Sequence, residues 1–425
     1  MLSIIPIALV LIWLSGCDMG NMNTSINTPS DEINTMKSSV DERIIWMEKN
    51  IVDDPKNIAL YTALSSLYLQ RIRETADISG YEKIAILMYE AEKIDPKNSD
   101  VLSLQSQVEL GRHNFWSGKI LIQRAIELNP NRAAYYGILG DTQIELGEYT
   151  DAIGSFQKMI DMRPDYNSYI RIGYIRELYW DIPGAISSLK LAIDAGSKHP
   201  ENIAFVYVGL WKLELRENLE NAKLYFESAI QLVPEYPPAL EWLGKVAYYQ
   251  QDLTLAKSYF ERAYERLPIV QYLINLADLD IIMGRVVEAN QKLALAEITF
   301  DTTAKSGINT DLEESLFLSD HDLRLSDALT MAERAYQMRP SIITADTLSW
   351  GLYKNKEYWE AVKYTPWALL LGENDPFILY HQGMIALKNN NSTEARRYLK
   401  RALELHPRFS ILDSQKAAEM LDSIK

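Results

Sequence analysis

Along most of this chain apolar positions recur at intervals of three and four, in short runs separated by turns. The stretch from Ala133 to Pro164 shows the pattern in full. Tyr136, Leu139, Gly140, Gln143 and Ile144 mark one face of a first helix, which Gly147 breaks. Ala152, Ile153, Phe156, Met159 and Ile160 mark a second, which Pro164 ends. Spacings of three and four put these residues on one side of a 3.6-residue helix. Gly140 and Ala152 are small enough to let the two helices approach, and Tyr136 and Phe156 fill the space beside them. The pattern predicts a helix-turn-helix hairpin of about 34 residues.

The hairpin recurs. Pro96, Pro130 and Pro164 stand 34 apart, as do Pro234 and Pro268, and Pro340 and Pro407 end two later units. A small residue recurs at one equivalent position: Gly118, Ala152, Ala185, Ala222, Ala256, Ala289, Ala328, Ala361 and Ala395. Four residues on come Ile122, Phe156, Leu189, Phe226, Phe260, Leu293, Ala332, Thr365 and Leu399. A second small residue falls in the first helix, at Gly140, Gly173, Gly244, Ala277, Ser349 and Gly383.

In these positions the chain resembles the tetratricopeptide repeat (TPR) family over roughly residues 57 to 408. The resemblance implies an all-α, right-handed solenoid of about ten hairpins. Such an array grows its core by stacking, so 425 residues need not divide into globular domains. Two insertions interrupt the period. RIRETADISG lengthens the first unit after IALYTALSSLYLQ, and FDTTAKSGI, residues 300–308, lengthens a later one. The second is expected to be a loop over 301–308, a hinge between a segment at 57–300 and another at 309–408. A shorter insertion, AGSKHP at 195–200, lengthens one junction. Helical patterns at 31–56 (Ile33, Met36, Val40, Ile44, Met47) and 409–425 (Ala417, Leu421, Ile424) are expected to cap the two ends.

The N-terminus reads differently. Residues 1–16, MLSIIPIALVLIWLSG, are uncharged and too short to span a bilayer comfortably, as in a secretory signal. Leu14-Ser15-Gly16-Cys17 resembles the bacterial lipobox, which implies cleavage before Cys17 and acylation of its thiol and new amine. No Lys or Arg precedes the apolar run. An uncleaved anchor and a chain with no anchor are the alternatives. Asp18 resembles an inner-membrane retention signal, so the expected address is the periplasmic side of the bacterial envelope, at the inner or the outer membrane. Residues 17–30 read as a flexible, lipidated tether.

Charge and composition narrow the chemistry. A net charge of −15 and a pI near 5.0 argue against nonspecific nucleic-acid binding. Cys17 is the one cysteine, so no intramolecular disulfide forms. The five histidines, His113, His199, His321, His381 and His406, are scattered, and no phosphate loop, dinucleotide fingerprint or nucleophile elbow occurs. No enzyme, cofactor, metal or small-molecule substrate is expected.

The resemblance also implies a concave groove lined by each unit's first helix. The family's inward positions fall on Tyr174 and Glu177; on Tyr207, Trp211 and Glu214; on Glu241, Lys245 and Tyr248; and on Asp278. They continue through Glu313, Phe317 and Asp320, then Asp346, Trp350, Tyr353 and Tyr380. About half are expected to be groove-exposed, the rest packed between repeats, with Trp242 as core filling. An aromatic, acidic groove suits a protein segment. The expected function is a lipid-anchored scaffold for a larger envelope assembly, in secretion, pilus formation, polysaccharide export or envelope biogenesis. The alternative is a factor that regulates or positions an envelope enzyme.

Overall fold

The computed structural model describes residues 39–214 and 219–424. Among these residues the fold is entirely helical. Helix α1 (Val40–Asp53) opens the array. Ten hairpins follow: α2 (Ile58–Thr75) with α3 (Gly80–Ile94), α4 (Ser99–Gly111) with α5 (Phe115–Leu128), α6 (Ala133–Glu145) with α7 (Tyr149–Met162), α8 (Tyr166–Leu178) with α9 (Ile182–Ala195), and α10 (Pro200–Glu214) with α11 (Leu219–Leu232). Then come α12 (Pro237–Tyr249) with α13 (Leu253–Arg266), α14 (Val270–Ile282) with α15 (Val286–Lys305), and α16 (Asp311–Asp320) with α17 (Leu325–Met338). In the ninth hairpin α18 (Ile342–Lys354) meets a broken second helix, α19 (Tyr358–Val362) and α20 (Thr365–Ala368), interrupted near Pro366. The tenth is α21 (Pro376–Lys388) with α22 (Ser392–Leu405), and α23 (Ser414–Ser423) closes the chain. Each helix packs mainly on its hairpin partner and on the next hairpin, as in a solenoid.

The recurring small residues do what their spacing implies. Ala152, Ala185, Ala256, Ala328, Ala361 and Ala395 are fully buried. A Cβ on Gly140 would stand 2.3 Å from the Phe156 ring, and one on Gly244 would stand 2.4 Å from the Phe260 ring. The missing methyl in one helix is the seat of the aromatic ring in the other. Burying each ring contributes roughly 2–3 kcal/mol.

The turns inside the hairpins share one geometry. His113, Gly147, Trp180, Gln251, Gly284, Lys356 and Asn390 all have positive φ, between 60° and 75°. The amide of the following residue donates to the carbonyl five residues back, as in Glu148 to Gln143 and Arg285 to Asp280, both at 2.8 Å. This closure satisfies carbonyls that the helix end leaves open. Only two of these positions use glycine.

Both long insertions differ from the loops expected. Half of the first extends α2, and most of the second extends α15 to 20 residues. Thr299, Thr302 and Ser306 donate their hydroxyls to carbonyls four residues back, and Lys305 pairs with Asp301 at 2.5 Å. The extra residues therefore continue the helix until Gly307, at φ +83°, stops it. At the ends, Ser39 and Glu42 form a capping box on α1, whose Ile44 and Met47 are buried. Helix α23 begins at Ser414, because Ser410 instead closes a turn by accepting from Leu412 and Asp413. The signal segment, Cys17, Asp18, Ile33 and Met36 lie outside the described residues.

Candidate functional site

The array curls until distant hairpins touch. The Asn309 amide donates to the Arg112 carbonyl at 3.0 Å, and His113 Nδ1 donates to the Asn309 carbonyl at 2.7 Å. Trp116 Nε1 donates to the Met338 carbonyl at 2.8 Å, and the Ile342 amide donates to the Tyr149 hydroxyl at 2.9 Å. Farther on, Arg408 donates to the Tyr248 and Tyr249 carbonyls, and the Tyr248 hydroxyl donates to the Ile411 carbonyl at 3.1 Å. The expected hinge after residue 300 is thus pinned against the second hairpin.

Beside the contacts of His113, Tyr248 and Arg408 lies a partly open cavity of about 540 Å³. Its walls come from the irregular parts of the chain. Ile72, Ala76 and Ile78 belong to the first insertion, Phe300, Thr303 and Ile308 to the second, and Arg408 to Asp413 to the segment before α23. Two regular helices complete it with matching faces. Helix α14 contributes Gln271, Ile274, Asn275 and Asp278, and α16 contributes Glu313, Leu316, Phe317 and Asp320. The spacings of three and four put each set on one side of its helix. The α16 face is apolar in the middle, at Leu316 and Phe317, and polar at its ends, whereas the α14 face carries Asn275 beside Ile274.

At the carboxyl ends of these helices lies a buried polar network. The His321 side chain is 3 % exposed; Nε2 donates to Asp278 at 2.8 Å and Nδ1 to the Phe317 carbonyl at 2.8 Å. Both nitrogens donate, so the ring is the imidazolium. Burial disfavours that charge, but Asp278 and the Phe317 carbonyl outweigh it and lift the pKa to about 9. Asp320 accepts from Trp350 Nε1 at 2.8 Å, and burial raises its carboxyl to about 6. Trp350 stacks between Tyr353, 4.8 Å away, and His381, 4.1 Å away. His381 donates to Asp346 at 2.8 Å.

A second network binds the turns together. Arg339 pairs with buried Glu145 at 2.6 Å and reaches Glu313 at 3.5 Å, with its guanidinium over the Phe115 ring. Two carboxylates share one guanidinium. Burial pushes the Glu145 pKa up to about 7, Arg339 opposes that, and Glu313 adds to it. Burial pushes His113 down, and the Arg339 charge acts the same way against Glu313. The neutral ring is the form that donates from Nδ1 to Asn309.

The residues singled out in the sequence fall into three places, and none stands exposed. Lys245, Tyr248, Asp278 and Phe317 line the cavity. Trp211, Glu214, Asp346 and Trp350 are buried between repeats; Trp211 packs edge-on against Trp242 at 5.1 Å. Tyr174, Glu177, Tyr207 and Tyr353 are half-buried: Glu177 pairs with Lys212 at 2.8 Å, Tyr207 stacks on Tyr225, and Tyr174 packs near Ile342 from a distant hairpin. The expectation that half would be open in a groove is therefore corrected. Large side chains on first helices reach the next hairpin, and the curl covers much of what remains. His321, Arg339 and Arg408 did not stand out in the sequence, since their partners lie 43 to 194 residues away.

Among the described residues no helix is long and apolar enough to cross a membrane, and no group of three acidic, histidine or cysteine side chains is placed to hold a metal ion. Tetratricopeptide repeat profiles match residues 110–167 and 378–409. No curated protein matches the chain. Among solved structures it is similar to PilF of Pseudomonas aeruginosa, at 17% identity over 48% of this chain and 92% of that one, with a TM-score of 0.38. It is also similar to yeast Tom70, at 14% over 91% and 92% with 0.39, and to human IFIT1, at 13% over 89% and 99% with 0.45. At scores this low these likenesses carry no function across. Residues 110–167 and 378–409 are tetratricopeptide repeats, set within an all-helical solenoid of stacked hairpins.

Proposed function

We propose that this protein is a non-enzymatic scaffold that holds a segment of a partner protein against the inner wall of its superhelix. The observation that carries the reading is the cavity itself. It is concave, mostly apolar, and bounded by a few convergent polar groups, which is the make-up of a binding site. Most of its acid and base groups are committed to partners, as His321 is to Asp278 and Lys245 to Glu241, so they serve the wall.

The lipobox-like Leu14-Ser15-Gly16-Cys17 supports a place for this scaffold at the bacterial envelope, held by acyl chains on Cys17. Several chains on one residue give stable anchoring, at about 0.8 kcal/mol per buried CH₂. The array then faces the periplasm and brings a partner to a membrane-bound assembly.

Photo-crosslinking in cells tests the reading. A crosslinking amino acid replaces Tyr248 or Gln271 on the cavity wall, with Trp359, 72 % exposed on the outside, as control. One partner captured from the wall and not from the control is expected; equal capture from both overturns it. Metabolic labelling with a fatty acid, lost in Cys17→Ser, tests the anchor.

A further inference from the structure

The geometry points to the kind of segment this cavity takes: a short, mostly apolar one that carries a single basic side chain, with Asp320 as its counter-ion. The inference rests on the scaffold reading above and adds the chemistry of the occupant.

It follows from pairing off the charges around the cavity, where Arg73 too is already engaged. His321 is matched by Asp278 at 2.8 Å, and His381 by Asp346 at 2.8 Å. Lys245 is matched by Glu241 at 2.6 Å. Arg408 is taken up by the carbonyls that end α12. Asp413 has Lys416 at 3.1 Å. Asp320 remains. Among the described residues its hydrogen-bond partner is the neutral indole of Trp350, on one oxygen, and no lysine or arginine pairs with it. The nearby cations, His381 and His321, are hydrogen-bonded to Asp346 and Asp278 instead; a carboxylate partly withdrawn from water with no cation of its own is costly, and a basic group delivered to it regains that cost.

Position agrees with charge. Asp320 stands at one end of the inward face of α16, beyond Leu316 and Phe317, with Glu313 at the other end. Glu313 has Arg339 only at 3.5 Å, and its Oε2 is buried without a hydrogen-bond partner. A segment lying along this face meets apolar surface in its middle and a carboxylate where its basic side chain ends. A volume of about 540 Å³ accommodates a few residues and not a folded domain; binding pockets run to roughly 300–1,000 Å³.

The test selects a random hexapeptide library on the immobilised full-length protein, and in parallel on Asp320→Asn. That substitution keeps an acceptor for Trp350, and circular dichroism checks that the variant is folded. Expected are retained peptides with one Lys or Arg among apolar residues, and loss of that basic position on the variant. A retained peptide, remade with Glu for the basic residue, should bind the unaltered protein at least tenfold more weakly in fluorescence anisotropy. No enrichment, acidic or uncharged winners, or equal binding of the basic and acidic peptides overturns the inference. The peptide pair decides the question on the unaltered protein even where the variant fails to fold. A partner still crosslinked from Tyr248 or Gln271 would then leave the scaffold reading standing without this chemistry.

Discussion

The regular hairpins and the irregular segments of this molecule are held by different kinds of contact. In the regular part, from α6 to α9, the helix faces pack on their neighbours, and long-range contacts are confined to hairpin ends such as Glu145 and Tyr149. Phe156 fills the space left by Gly140, and Arg171 makes a two-pronged, fully buried pair with Asp141 one hairpin away, at 2.7 Å and 2.9 Å. Parts of the chain up to 196 residues apart are joined both by the second insertion and the residues after it, where Asn309 meets His113, and by the ends of regular hairpins, where Arg339 meets Glu145. The period builds the superhelix, and the departures from it join the hairpin ends in closing the superhelix on itself. A strictly periodic array of this length would offer a continuous open groove; this one narrows to a partly open cavity.

The sharpest way to break that distinction is Arg339→Ala. It strands Glu145 and Glu313 near each other in a buried site. Removing one partner of a buried pair costs about 3–5 kcal/mol. The loss should appear as faster amide exchange in both 306–310 and 145–149, which are far apart in sequence, together with a larger radius of gyration. Faster exchange confined to the eighth hairpin would mean that the turns are not coupled through this residue.

A neighbour contact of similar kind responds to pH. His321 carries a pKa near 9 against about 6.5 for the unfolded chain. A raised histidine stabilises fully below pH 6.5, and that contribution is lost as pH rises through 9. Its size is about 3 kcal/mol. Thermal melts between pH 6.5 and 9.5 should show the seventh and eighth hairpins loosening, and Asp278→Asn should flatten the slope. An unchanged slope in Asp278→Asn would assign the pH dependence elsewhere. Glu145, raised to about 7, acts in the same sense between pH 4.5 and 7, since its burial favours the protonated form.

The repeated part of the fold was legible because a hairpin's own packing is written at spacings of three and four. Ala152, Ala185 and Ala256 are buried where the register puts them, and Gly140 and Gly244 seat the rings that follow. The closure was not legible. Residues 300–308 read as a loop because they interrupt the period, yet the helix continues through them to Lys305, with a Lys305–Asp301 pair along its surface. Trp211 and Trp350 read as groove anchors because a repeat position gives a direction and no depth. Whether a side chain pointing inward meets solvent or another hairpin depends on the curl of the whole array, to which every junction contributes. Lys245, Tyr248, Asp278 and Phe317 do line the cavity, where the curl leaves a space.

Two glycines allow the comparison to be made almost residue for residue. Gly147 and Gly284 occupy the same turn in different hairpins, at φ +75° and +72°. A Cβ on Gly284 would meet open space, whereas one on Gly147 would stand 2.4 Å from the Pro340 carbonyl oxygen of a distant hairpin. Gly284→Ala should therefore cost only the left-handed backbone, about 1 kcal/mol. Gly147→Ala should cost a further ~1–3 kcal/mol of overpacking. The difference, read from denaturant melts of the two variants, is the contribution of closure at that point. Equal losses would mean that the distant hairpin gives way at no cost.

The smallest effect should come from Trp116, half-exposed on the second hairpin, whose Nε1 donates to the Met338 carbonyl. Phenylalanine there keeps an aromatic ring over Lys119 and removes the indole donor. A single hydrogen bond at a wet edge contributes about 0.5–1.5 kcal/mol. Trp116→Phe should thus shift the melting temperature slightly while raising amide exchange at 339–342. Because Arg339 and Ile342 form neighbouring clasps on Glu145 and Tyr149, the two substitutions should not add. In Arg339→Ala the turns are already apart, and losing the Trp116 bond as well should cost almost nothing. Full additivity would show that each clasp holds by itself and that the superhelix has no closed state shared among them.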